Sequence, residues 1–354
     1  MKQSTLPAAG TCLPRGRGVL SEAVTTSART GQSPEYEPET VLTADIWGED
    51  VQLALYVLYE LHYRGFEGVA DEREWDPDLL RMRRDLETRF LGALRAALTG
   101  APRTAEEAFA PLLVEPVDLS GSLSHRLEAT GELWQLREYA ALRSLYHLKE
   151  ADPHVWVIPR LTGRAKAAMV SIEYDEFGAG RPDRIHARLY ADLMDDLGLD
   201  PRYGRYLNQA PAVLLATVNL MSLFGLHRAL RGALVGHFAC VEVTSSPSSR
   251  RLAKAMRACG AGPAAEFFYA EHVEADAVHE QIVRREVVGG LLADEPGLEE
   301  DIAFGCAATV FLEEQLTAYI EGAWDQGRST LYAPWPEGDT SYGGSARPRQ
   351  PSST

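Results

Sequence analysis

Residues 269–281 read YAEHVEADAVHEQ and carry His272, Asp276 and His279 at steps of four and three. At about 100° per residue the three positions fall within about 60° of one another on a helical wheel, so their side chains leave one face of a helix. That face is a ligand set in outline. A lone HxxxDxxH is more often a solvated face rich in acids and histidines, so partners elsewhere in the chain have to decide.

The segments around it share its period. IWGEDVQLALYVLYELHYRGF (46–66), DPDLLRMRRDLETRFLGALRAAL (76–98) and EEDIAFGCAATVFLEEQLTAYIEGAW (299–324) have helical spacing, Gly and Pro break the chain between such runs, and strand-like alternation is scarce. The sequence therefore reads as all-α, with helices expected over roughly 125–150, 160–177, 183–197, 205–243, 249–259, 263–290 and 297–323. The 205–243 run is expected to break around Gly225 to Gly236. The Pro-containing stretch 99–121 separates a first helical pair from this longer series. Residues 1–40 and 327–354, rich in Ser, Thr, Gly and Pro, read as flexible tails, leaving a helical region at 41–120 and a main domain at 121–326.

Composition narrows the classes. With 354 residues, 45% apolar and 24% charged, the chain can bury a large core. A net charge of −16 repels nucleic acid and anionic membranes, and no basic patch offsets it. No apolar run is long enough to span a bilayer or to serve as a secretory signal, which makes the cytoplasm the expected compartment. Four scattered cysteines, with no CxxC pair, suggest neither a zinc knuckle nor a disulfide framework.

Partners for HxxxDxxH are sought among acids and histidines on apolar helical faces, where a charge must be paired or bound to metal. Glu242 closes LVGHFACVE at an expected helix end before Ser-Ser-Pro, where a buried salt bridge to an arginine is the ordinary alternative. Glu150 ends YAALRSLYHLKE, and an acid is disfavoured by the dipole at a helix C-terminus, although a solvated acid beside Lys149 would also read this way. In EYDEFGAGRPDRIHARLY (173–190), Glu173, Asp175 and Glu176 precede a Gly/Pro interruption and His186 follows it on a helix whose periodicity leaves its orientation open. His62, His147, His154, His227 and His237 are set aside as structural or interface histidines. Glu150, Glu176, His186, Glu242, His272, Asp276 and His279 together make a mixed oxygen and nitrogen donor set, which suits iron or manganese better than a structural zinc. No HExxH and no pair of ExxH motifs occurs, so neither a zincin nor a ferritin-like di-iron bundle is indicated.

The same residues carry a resemblance. HLKEADPHVWVIPRLTGRAKAAM (147–169), DEFGAGRPDRIHARLYADLM (175–194), the Glu242 helix and YAEHVEADAVH (269–279) make the chain resemble the heme-oxygenase-like diiron oxidases and oxygenases, also called iron-containing redox enzymes, and in particular their N-oxygenating branch of the streptozotocin-pathway type. The likeness runs from about residue 45 to about residue 323. It implies a heme-oxygenase-like helical bundle without haem, carrying an N-terminal helical extension. It also implies ligands Glu150, His186 and Glu242 from three helices, His272, Asp276 and His279 from a fourth, and Glu176 as an additional carboxylate. The cupin region of that branch is expected to be missing.

Two Fe(II)/Fe(III) ions, O2 as co-substrate and an external reductant follow from the resemblance, with a peroxo-diferric intermediate. So does a small-molecule amine or amino-acid-like substrate oxygenated on nitrogen, in specialised metabolism. Desaturation or C–C cleavage of an amino or fatty acid is the alternative outcome, and a non-catalytic metal-binding scaffold the alternative class. A substrate carboxylate would need a cation; Arg160, Arg164, Lys166 and Arg181 are available, and none is assigned. A homodimer through the 41–120 region is expected, because LYVLYELHYRGF has more apolar surface than a peripheral helical pair should expose.

Overall fold

The computed structural model describes residues 11–114 and 122–336, apart from the side chains of Glu274, Asp276 and Ala277. Among them the chain is all α. Its N-terminal part holds α1 (Val19–Thr30), α2 (Pro38–Thr43), α3 (Glu49–Glu60), α4 (Pro77–Ala97) and α5 (Ala105–Phe109). Then come α6 (Leu123–Thr130), α7 (Leu133–His147), α8 (Asp152–Val155), α9 (Gly163–Glu176), α10 (His186–Asp196) and α11 (Ala212–Leu226). The last are α12 (Arg231–Ala258), α13 (Pro263–Ile282), α14 (Gly289–Asp294) and α15 (Glu299–Asp325), with a π-helical turn, Val283–Val288, between α13 and α14.

The heart of the bundle is α12, which packs along α13 on one side and α15 on the other. Its approach to α15 depends on two glycines: a Cβ at Gly236 would strike the Ile302 carbonyl and one at Gly305 the Ala233 carbonyl. The expected break near Gly225 to Gly236 therefore falls only at its start, between Leu226 and Arg231, while Gly236 sits inside α12 as a packing residue. Nor does α12 close at Ser-Ser-Pro; it runs through Pro247 to Ala258. Proline removes the donor for the Val243 carbonyl, yet Thr244 Oγ1 donates to Cys240 at 2.9 Å, Ser248 Oγ donates to Thr244 at 2.8 Å, and packing on α13 holds the helix together.

Both expected tails need correction within the described residues. Leu20 and Val24 of α1 are fully buried against α3, and the Asp50 carboxylate accepts from the Leu20 and Ser21 amides at 3.0 and 2.7 Å. The apolar stripe of α1 is built largely of Ala, Ser and Thr, which is why it reads as a tail. At the other end, Thr330 is fully buried, its amide and hydroxyl donating to Glu138 at 3.0 and 2.7 Å. The remaining parts of both expected tails, residues 1–10 and 337–354, lie outside the described residues. The premise for a dimer face also changes, because Val51–Glu60 of α3 is buried inside the chain, between α1, α4 and α11.

Candidate metal centre

Four short stretches converge. After α7 the chain turns through Ala151, at φ 73°, which precedes α8, a helix that opens at Asp152 with Pro153 in its first turn. Lys149 and Glu150 then point apart. Lys149 goes into the α3 layer, where its Nζ meets Glu60 at 2.6 Å with both side chains 1% exposed, Tyr203 donates to the same carboxylate at 2.9 Å, and the Tyr63 ring lies 4.1 Å from the ammonium. Glu150 goes to the opposite side, towards α13.

The second stretch is the reversal between α9 and α10. α9 ends at Glu176, and Gly178, Ala179 and Gly180 all have positive φ. A Cβ at Gly178 would lie 2.7 Å from the Ile185 nitrogen, so only glycine permits so tight a return. It lays His186, the first residue of α10, on Glu176, with Nδ1 2.6 Å from Oε2. α12 contributes Glu242, and α13 contributes His272 and His279 two turns apart.

Six of the seven expected residues meet in two clusters, and the side chain of the seventh, Asp276, lies outside the described residues. Glu150, His186 and His272 offer one donor atom each within 4.8 Å of one another, as do Glu176, Glu242 and His279. His272 and His279, read from the helical wheel as a shared set, thus belong to different clusters. Glu176 joins them: Oε2 faces His186, and Oε1 lies 3.4 Å from His279 Nδ1, which is also 3.4 Å from Glu242 Oε2.

The imidazoles are oriented from behind. His272 donates Nδ1–H to the Phe268 carbonyl at 2.7 Å, leaving Nε2 without a hydrogen-bond partner and 3.9 Å from Glu150 Oε2. His279 Nε2 stands 3.3 Å from Asp175 Oδ2, so its Nδ1 turns inward. Burial opposes a proton on His279, but hydrogen bonds to Glu176 and Glu242 raise it to about 11. Burial likewise works to raise Glu176, and the neighbouring His186 holds it well below the usual carboxylate range. In both cases positive charge holds the carboxylates together, a place that a metal cation could take. An orphaned imidazole lone pair among buried carboxylates is a donor set that fits iron.

Residues 137–314, half of the chain, match the iron-containing redox enzymes. The chain belongs to that family. The matched stretch contains all seven expected residues, and the fold of the family is heme-oxygenase-like. A search of curated proteins gives no match.

In this iron-containing redox enzyme several groups escaped sequence reading. His147 Nδ1 meets Glu150 Oε2 at 3.1 Å, and its spacing of three from Glu150 was the available signal. Glu173, one turn before Glu176, is 3% exposed with neither oxygen hydrogen-bonded, and burial, then Glu176 and Glu242, push its carboxyl well above the usual range. His154 and His237 are buried with ring centroids 5.3 Å apart, His237 bonding Thr309 at 2.8 Å. His62 and His227 pair with Glu74 and Glu87, away from the clusters. A cavity of about 510 Å³ ends on Glu150 and His272, while Glu176, Glu242 and His279 are not among its lining. None of the four cations considered from sequence lines it; Arg160 caps α11 through the Gly225 and Leu226 carbonyls and Arg164 pairs with Glu286.

Proposed function

We propose that the protein is a non-haem diiron oxygenase that oxygenates nitrogen in an amine or amino-acid-like substrate. The observation that carries this reading is Glu176, whose two oxygens face different histidines and so suit a carboxylate shared by two metals. Glu150, His186 and His272 would hold one iron and Glu242 and His279 the other, with Asp276 assigned from the family resemblance. Bound iron would supply O2 activation, with electrons from an external reductant. The chain's own residues do the rest. Phe268 and Asp175 fix the imidazole orientations, and His147 steadies Glu150.

The cavity argues against a non-catalytic scaffold, since a structural site has no need of an open approach to two of its donors. Its acidic lining favours an amine over a fatty acid. Anaerobic Fe(II) titration followed by Mössbauer spectroscopy tests the centre. Two irons per chain are expected, falling to one in Glu176→Ala. One iron at saturation in the unaltered protein, or two in the variant, would overturn the shared-carboxylate reading.

A further inference from the structure

The cavity has one polar wall that the metal centre does not use. Arg143 of α7 and Glu313 of α15 face each other fork to fork, with Nη1 2.9 Å from Oε1 and Nη2 on Oε2. The pair is only partly covered, 16% of the Arg143 side chain and 35% of the Glu313 side chain remaining accessible, and both residues line the cavity. Around it are unmet donors. Arg143 Nε and the Tyr146 and Tyr269 hydroxyls are buried without hydrogen-bond partners, and both tyrosines also line the cavity. Unpaired buried donors are costly, and a ligand bearing acceptors relieves them.

Charge narrows the ligand. Arg143 is the only Arg or Lys lining the cavity among the described residues, against Glu313, Glu314 and Glu321 besides the metal-facing Glu150. A carboxylate alone would meet that acidic surplus, and an amine alone would leave the donors unmet. A zwitterion satisfies both. Arg143 precedes Glu150 by seven residues, about 10 Å at helical rise, so a head group at the ion pair leaves a side chain's length to the metal-facing end.

Resting on the diiron reading, we infer that the Arg143–Glu313 pair is the head-group anchor of the substrate: Arg143, with Tyr146 and Tyr269, takes the carboxylate of an α-amino acid, Glu313 takes its ammonium, and the side chain runs towards Glu150 and His272. Small side-chain adjustments at the two tyrosines bring their hydroxyls to the ligand. Arg143 and Glu313 are then specificity residues that touch the part of the substrate that does not react.

Calorimetric titration of the full-length protein, metal-free and Mn(II)-loaded, tests the anchor with lysine, arginine, norleucine and phenylalanine, each beside its decarboxylated amine and its deaminated acid. At least one amino acid is expected to bind about tenfold or more tightly than both of its truncated partners. Arg143→Gln should erase the preference over the amine and Glu313→Gln the preference over the acid. Because each single change leaves a charge unpaired, the neutral double variant Arg143→Gln/Glu313→Gln serves as the folded control, with unaltered iron content and no preference of either kind. Deaminated acids binding most tightly, preferences that survive the double variant, or no binding by any amino acid in the panel would overturn the anchor. Two irons without amino-acid preference sink the anchor alone; the preference with fewer irons sinks the diiron reading alone.

Discussion

Glu173 is the residue whose position is hardest to justify by stability. It sits on the buried face of α9 with Ile172 and Glu176, and its carboxyl makes no hydrogen bond. Replacing a buried polar group that lacks partners by an apolar one of similar size removes its desolvation penalty, on the order of 1–3 kcal/mol. Glu173→Leu is therefore expected to raise the denaturation midpoint of the chelator-treated protein, where most core substitutions lower it. A lowered midpoint in calorimetry refutes the claim that this carboxyl is uncompensated. At this scale the sequence was legible where spacing spoke: HxxxDxxH placed His272 and His279 on the inner face of one helix. It noted Glu173 but gave no reason to select it, because its neighbours Glu242 and His279 are brought to it by folding, and it was silent on Arg143, whose partner Glu313 lies 170 residues away.

Among the elements, the α9–α10 reversal rests on isolated turn bonds in place of a continuous helical ladder. Gly178, Ala179 and Gly180 in left-handed geometry hold few bonds beyond Tyr174 donating to the Ala179 carbonyl at 3.0 Å, while the contact that closes the turn is His186 on Glu176. Metal binding to both residues should tighten it. Hydrogen exchange over residues 168–186 is expected to slow on anaerobic Fe(II) addition and to stay fast in Glu176→Ala; identical exchange with and without metal would count against this coupling. The Gly/Pro interruption was readable from sequence because it breaks a helical period. Pro247 misled for the same reason, since local chemistry says stop while packing on α13 carries α12 onward.

For the molecule as a whole, two histidines set an acid limit. Burial drives His154 to about 3 and His237 to about 4, with His237 adding to the effect on His154. Their folded values lie below the unfolded value of about 6.5, so the unfolded chain binds more protons and stability falls as pH drops from about 6.5 towards 4. The loss is roughly 2 kcal/mol for each at pH 5. Denaturant titrations of the metal-free protein at pH 5 and 7.5 should differ accordingly, and a His154→Phe/His237→Phe variant should narrow the gap; an unchanged gap would place the sensitivity elsewhere. Fold class was legible at this scale because helical period dominates nearly every segment. The packed ends were not, because Ala, Ser and Thr supply too little apolar contrast to announce a buried face.

The ion pair between Lys149 and Glu60 bears on how this family can be dissected. Lys149 belongs to the stretch shared with the other iron-containing redox enzymes, whereas Glu60 comes from α3, outside it. Cutting the chain back to the shared stretch would strip Glu60, Tyr56 and Tyr63 from around the Lys149 ammonium, next in the chain to Glu150, and expose the face of α11 that α3 covers. The N-terminal helices are thus part of the mould in which the centre is cast, and a chimera that exchanges them with a relative's has to carry the counterion of Lys149 along with the swap.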